Sequence, residues 1–294
     1  MKPFDYSFEV HKLVKSQNLT ISCVITAYNE EKDIHKVLEV IQDFPLFNEI
    51  IVVNDGSKDK TLEIINSFKK SCPNLQVIDQ QPNKGKTKGI VAGVARSKSE
   101  LVCLLDADLT GLKFEYIYKM IYYVINHEFS MTILDRAGDR QAIIGPTQSW
   151  IARFNGGERA FWKKDFDQIV FPEDSRYALE QLINLYYVKH QLKVRTIYCS
   201  DLYGAYKYDK RGLLTGLKEY HKMFSEIYKH AKVKDFYIQV ENIVEDRIEP
   251  LYKLSEKTNK NKTIVGAILV TGLVTSIATF AWLRLRSLSR KKEQ

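Results

Sequence analysis

Between residues 19 and 106 the chain alternates short apolar runs with longer stretches that are apolar on one face only. Residues 19–27 (LTISCVITA), 49–53 (EIIVV), 75–78 and 101–105 (LVCLL) read as short β-strands, the last ending at Asp106. Residues 30–44 set Ile34, Val37, Leu38, Ile41 and Phe44 on one helical face, and 60–70 and 85–95 form two further helices. Near-continuous apolar strands separated by amphipathic helices predict an α/β fold, a mostly parallel central sheet flanked by helices.

Downstream the pattern changes. Residues 111–129 form an aromatic-rich helix carrying Phe114, Tyr116, Tyr118, Tyr122 and Tyr123. Residues 131–170 read as irregular, punctuated by Gly145-Pro146 and Gly156-Gly157. A helix over 177–187, a strand over 194–199 and a Tyr- and Lys-rich helix over 212–231 follow. Residues 263–283 (TIVGAILVTGLVTSIATFAWL) then run 21 positions without a charge, enough to cross a ~30 Å hydrocarbon core as one helix. The expected organisation is a first half over 1–110, a second over 111–252, a linker at 253–262, a transmembrane helix at 263–283 and a basic tail at 284–294. Five basic residues follow the span and Lys253, Lys257, Lys260 and Lys262 precede it, so charge leaves its orientation open.

Composition narrows the class without choosing within it. Hydrophobic residues at 45% and charged residues at 27% exclude wholesale disorder. The net charge of +8 suits an anionic partner such as a nucleotide, a phospholipid surface or a nucleic acid, but no RNA- or DNA-binding module pattern appears. Cys23, Cys72, Cys103 and Cys199 lack CxxC spacing and point to a reducing compartment. The polar stretch 1–18 has no apolar core of a secretory signal. The six histidines lack metal-ligand spacing.

The polar motifs fall at strand ends, where the loops of a parallel sheet gather around ligands. Tyr28-Asn29-Glu30 follows the first strand, Asn54-Asp55-Gly56-Ser57 the second and Asp106-Ala107-Asp108 the fourth. Paired carboxylates at a strand end can hold Mg2+ or Mn2+, which prefer oxygen ligands and bridge phosphates; equally, Asp pairs cap helices and fill turns. Gly56 permits a tight turn, and Asp55 is free to accept from a base or a ribose. Asn83-Lys84-Gly85-Lys86 sets two cations at a helix start, a natural diphosphate site. Neither a Walker loop nor a GxGxxG fingerprint is present.

Taken in order, Ala27-Tyr28-Asn29-Glu30-Glu31, Val53 to Thr61, Asn83-Lys84-Gly85-Lys86 and Leu105-Asp106-Ala107-Asp108 resemble the family-2 glycosyltransferases of the GT-A fold, over residues 20–109. The resemblance implies an inverting transferase that uses a nucleotide-diphosphate sugar, UDP- or GDP-linked, and Mg2+ or Mn2+. By it, Ala27, Tyr28, Glu30 and Asp55 hold the nucleoside, Lys86 lies near the nucleoside or diphosphate, and Asp106 and Asp108 hold metal and diphosphate. The segment from Gly156 to Phe161 resembles an acceptor loop of members acting on lipid-linked phosphates, which makes Arg159 an acceptor-binding candidate. Many inverting members of the family carry a Glu-Asp pair whose Asp deprotonates the acceptor hydroxyl. Here Glu173-Asp174 is such a pair in a Pro-bounded loop, and Glu180 is the alternative as base or metal ligand. An ionised phosphate acceptor needs no base.

These expectations describe a single-pass membrane glycosyltransferase whose catalytic domain faces the cytoplasm and whose acceptor is a lipid such as polyprenyl phosphate. The alternatives are a transferase acting on a soluble or protein-bound glycan, a non-catalytic nucleotide-sugar-binding protein, and a nucleotidyltransferase that makes the sugar nucleotide.

Overall fold

The computed structural model describes residues 4–136, 156–173, 175, 179–204 and 243–245. In its first part, strands β1 (Ile21–Ala27), β2 (Glu49–Asn54), β3 (Leu75–Asp79) and β4 (Leu101–Asp106) alternate with α2 (Ile34–Ile41), α3 (Thr61–Ser67) and α4 (Lys86–Arg96), after a leading helix α1 (Tyr6–Gln17). These strands pair in parallel in the order β4-β1-β2-β3, with Cys23 opposite both Ile50 and Cys103. Alternate residues then face opposite layers: Cys23 and Ile25 pack with α1 and α2, and Val24 packs with Ile90 and Val94 of α4.

The second part extends the same sheet. After β5 (Leu109–Thr110) and α5 (Phe114–Ile125) come β6 (Met131–Arg136), β7 (Arg159–Trp162), α6 (Lys163–Phe166), α7 (Leu179–Lys189), β8 (Val194–Cys199), β9 (Tyr203–Gly204) and β10 (Ile243–Glu245). The eight-stranded order is β10-β8-β6-β7-β4-β1-β2-β3, and β5 and β9 form a separate two-stranded ribbon. β7 runs antiparallel to both neighbours, Leu104 and Ile133 lying opposite Arg159. A strand running backwards between β4 and β6 brings its first residues to the edge where those two strands end, and this positions the site.

Two stretches differ from the sequence expectation. Residues 131–170 hold β6 and β7 rather than irregular chain alone. Met131, Ile133, Leu134, Ala160 and Phe161 are fully buried, but the polar neighbours Asp135, Glu158 and Arg159 are buried with them and break the apolar run. The polar amino-terminal stretch holds α1, whose Asp5 carboxylate accepts from the Phe8 N–H at 3.1 Å. Asn18 ends that helix in the left-handed region at φ 51°, and Val10 is buried beneath it.

All four cysteines are buried free thiols. Among the described residues no helix is long and apolar enough to cross a membrane. The apolar run 263–283, the expected helix over 212–231 and Asp174 lie outside them.

Candidate active site

Two loops at the ends of β1 and β2 are stitched side by side. The carbonyl of Ala27, the last residue of β1, accepts from the Asp55 N–H at 2.9 Å. Asn29, at φ 57°, donates its N–H to Ser57 Oγ (3.0 Å), and its Oδ1 accepts from the Lys58 N–H (2.8 Å). The Glu30 N–H reaches Thr61 Oγ1 at 2.7 Å, and Glu31 accepts from the Lys60 N–H. Tyr28 and Glu30 are left half-buried at the rim.

Asp55 is buried, and its carboxylate fixes the approach to α4. The Lys84 and Gly85 N–H groups each donate to it at 2.8 Å, and Gln80 adds a longer bond at 3.3 Å. Gly56 has φ +72°, and a Cβ there would stand 2.6 Å from the Asn83 backbone nitrogen. Glycine is required here both for the turn and for the close approach of the 83–85 segment.

At the start of α4, Lys86 turns its ammonium onto two carboxylates: Asp106 Oδ1 at 2.8 Å and Glu180 Oε1 at 2.9 Å. Burial opposes that charge, but Asp106 and Glu180 outweigh it and hold the pKa above the ordinary lysine value. The structure thus brings together three expected residues from β4, α4 and α7. Asp108 lies half-buried two positions beyond Asp106, with Ala107 buried between them.

The other wall comes from residues that sequence reasoning missed. Arg136, at the end of β6, puts Nη1 3.7 Å from Asp106 Oδ2 and 3.3 Å from Glu158 Oε1. Arg136 packs across the backbone of Gly204, delivered by the β5–β9 ribbon, where any Cβ would collide with its guanidinium. Glu158 is fully buried, its Oε2 has no hydrogen-bond partner among the described residues, and burial pushes its pKa up to about 7. No local signal marked Glu158, because the stretch 131–170 reads as irregular in sequence.

Arg159, the acceptor-binding candidate, lies inside the fold. The guanidinium is fully buried, donating through Nε to the Gly156 carbonyl (2.8 Å) and through Nη1 to Asn184 Oδ1 of α7 (2.6 Å). It fastens α7, and with it Glu180, to the start of β7, and presents no exposed surface to an acceptor. Glu173 is exposed and ion-paired with Lys88 at 2.7 Å, while its neighbour Asp174 lies outside the described residues.

No three His, Cys, Asp or Glu side chains converge as a metal cage among the described residues. Asp106 and Asp108 offer hard oxygen donors, and Gly157 leaves the Asp106 carboxylate room that a Cβ would fill. That donor set fits a divalent cation completing its shell with phosphate oxygens and water, as Mg2+ commonly does.

Residues 22–175 match Glycosyl transferase family 2, just over half of the 294-residue chain. The chain belongs to that family. A dolichyl-phosphate beta-glucosyltransferase of Trichomonas vaginalis is 41% identical over 97 residues, covering 30% of this chain and 30% of that protein. A poly-beta-1,6-N-acetyl-D-glucosamine synthase of Staphylococcus epidermidis is 37% identical over 112 residues, 36% of this chain and 26% of that protein. The chain therefore spans about 30% or less of the length of these curated relatives. Among solved structures, glucosyl-3-phosphoglycerate synthase of Mycobacterium tuberculosis, in complex with Mn2+, UDP and glucosyl-3-phosphoglycerate, superposes with a TM-score of 0.61. It is 17% identical and covers 78% of this chain and 85% of that one. Staphylococcus aureus TarS with UDP gives a TM-score of 0.52 at 19% identity, covering 75% and 68%. These likenesses bear out the expected GT-A-type α/β architecture.

Proposed function

We propose that the protein is a membrane-anchored inverting glycosyltransferase that moves a hexosyl group from a UDP- or GDP-sugar to a lipid acceptor such as polyprenyl phosphate. The observation that carries this reading is the meeting of Lys86, Asp106 and Glu180 within 3 Å contacts at the sheet edge, beside Asp108. The relatives named for dolichyl-phosphate glucosyl transfer support a lipid phosphate as acceptor, and the neighbours solved with UDP and Mn2+ support the donor and cofactor classes.

In this reading residues 1–110 bind the nucleotide sugar and 111–252 the acceptor, and 253–262 lead to the span 263–283 and the tail 284–294. The span holds the site beside a substrate confined to the bilayer, raising its effective concentration. The catalytic domain faces the cytoplasm, where nucleotide sugars and reduced thiols occur.

The stitched 27–31 and 54–61 loops, with Tyr28 and Glu30, cradle the nucleoside, and Asp55 fixes the 83–85 segment beside them. Asp106 and Asp108 hold the divalent cation, Mg2+ or Mn2+, which supplies charge stabilisation for a leaving diphosphate. An ionised phosphate oxygen of the acceptor forms the new bond to the anomeric carbon from the face opposite the leaving group. The bond from that carbon to the diphosphate breaks, and its electron pair leaves with the nucleoside diphosphate. No proton need be removed from such an acceptor, so Glu180 orients Lys86; with a hydroxyl acceptor, Glu180 or Asp174 takes the proton.

The test uses detergent-solubilised full chain, Mn2+ or Mg2+, radiolabelled UDP- and GDP-sugars and polyprenyl phosphate. Label appearing in butanol-extractable lipid is the expected result. Label transferred only to water-soluble acceptors, or to none, contradicts the lipid reading.

A further inference from the structure

Lys86 sits where its charge competes with the cation that Asp106 and Asp108 would hold. Its ammonium bonds Asp106 Oδ1 and Glu180 Oε1 at 2.8 and 2.9 Å with only 31% of the side chain exposed. On the far side of the same Asp106 carboxylate, Arg136 lies 3.7 Å from Oδ2. Both oxygens of the central carboxylate thus already face positive charge. A bare divalent cation entering here must displace the ammonium from Oδ1 and remain near it, and at such separations like charges repel strongly even at an intermediate dielectric. A nucleoside diphosphate changes this balance, because its phosphate oxygens give Lys86 other acceptors and supply ligands to the cation.

We propose that Lys86 is the internal counter-ion of the donor-free site, which makes divalent-cation uptake depend on the nucleotide diphosphate. This inference rests on the donor-site reading above and adds an order of events to it. Free enzyme holds little metal, nucleotide and metal enter together, and by linkage each strengthens the other's binding by the same factor. Lys86 is therefore a positioning residue for the metal, acting through Asp106.

Mn2+ binding to the full chain is measured by the loss of the free-ion paramagnetic resonance signal, with and without UDP or GDP. Nucleotide binding is followed separately by calorimetry. Wild type is expected to bind Mn2+ weakly alone and at least about tenfold more tightly with the nucleotide. Lys86→Gln is expected to bind Mn2+ alone at least about tenfold more tightly than wild type and to show a smaller nucleotide effect, the part that remains coming from the phosphate ligands. Lys86→Arg, which keeps the charge, should follow wild type, a distinction that a merely structural role would not produce. Lys86→Met replaces the Gln variant if that one fails to fold. Equal Mn2+ affinity in Lys86→Gln and wild type overturns the inference, as does a wild-type affinity unmoved by a nucleotide that binds. Absence of any nucleotide binding overturns the donor-site reading beneath it.

Discussion

The Asp106 carboxylate lies against the backbone of Gly157, so closely that a Cβ at that position would stand 2.5 Å from Oδ1 and 2.6 Å from Oδ2. This contact joins the end of β4 to the start of β7, and it exists because β7 runs antiparallel between β4 and β6. Gly157→Ala is expected to push the carboxylate off Lys86 while leaving the sheet intact. Metal-dependent release of nucleoside diphosphate should fall at least about tenfold, equivalent to about 1.4 kcal/mol of transition-state stabilisation, with an unchanged far-ultraviolet dichroism spectrum. Unchanged turnover would mean that the position of Asp106 does not matter.

Glu158 carries a pH signature. Burial raises its folded-state pKa from an ordinary carboxyl value to about 7 against the opposing pull of Arg136. The folded protein therefore holds a proton there that the unfolded chain has already released. The contribution to stability is full at acid pH and is lost as pH rises through 7, with an upper bound of roughly 3 kcal/mol. Glu158→Gln should remove this component, so that the difference in urea midpoint between pH 5 and pH 8 shrinks relative to wild type. A variant with the wild-type slope would assign the slope to other groups.

Arg159 is expected to behave as a structural residue. Truncation in Arg159→Ala leaves the Gly156 carbonyl and Asn184 without their donor and opens space under α7. The expected loss is about 3 kcal/mol, read as a lower urea midpoint. In the protein that still folds, the acceptor KM should change less than kcat, since the defect reaches the site through Glu180. An acceptor KM raised tenfold with stability unchanged would restore Arg159 to the acceptor.

Asp55 ties the 83–85 segment to the end of β2 through two 2.8 Å bonds to backbone N–H groups. Asp55→Ala frees those donors and the loop that precedes Lys86. Calorimetry should record nucleoside diphosphate binding at least about tenfold weaker, about 1.4 kcal/mol, with metal present. Binding within twofold of wild type would show that this loop does not serve the nucleotide.

Much of the fold was legible because β1, β2 and β4 are buried nearly throughout and read as apolar runs, the mark of parallel strands covered on both faces. The motifs at Tyr28, Asp55 and Asp106 were legible for the same reason, since strand ends locate the loops. β7 was not, because its first residue Arg159 and the preceding Glu158 are polar yet buried. The face each side chain takes depends on pairing with β4 and β6, which lie far away in sequence. Arg136 was missed likewise, since its partners Asp106, Glu158 and Gly204 come from β4, the approach to β7 and β9. Arg159 was singled out from its neighbours, but the bond that fixes it reaches Asn184 on α7, a contact no local pattern reports.

In the proposed mechanism the carboxylates at the end of β4 hold the cation and diphosphate of a sugar donor. The measurement that tests it most directly is release of UDP or GDP from the matching nucleotide sugars by wild type, Asp106→Asn and Asp108→Asn, each with Mn2+ and with chelator. Wild type should release nucleoside diphosphate in a reaction that chelator abolishes, and each variant should lose at least about a hundredfold, about 2.7 kcal/mol. Release by both variants at the wild-type rate would contradict the mechanism.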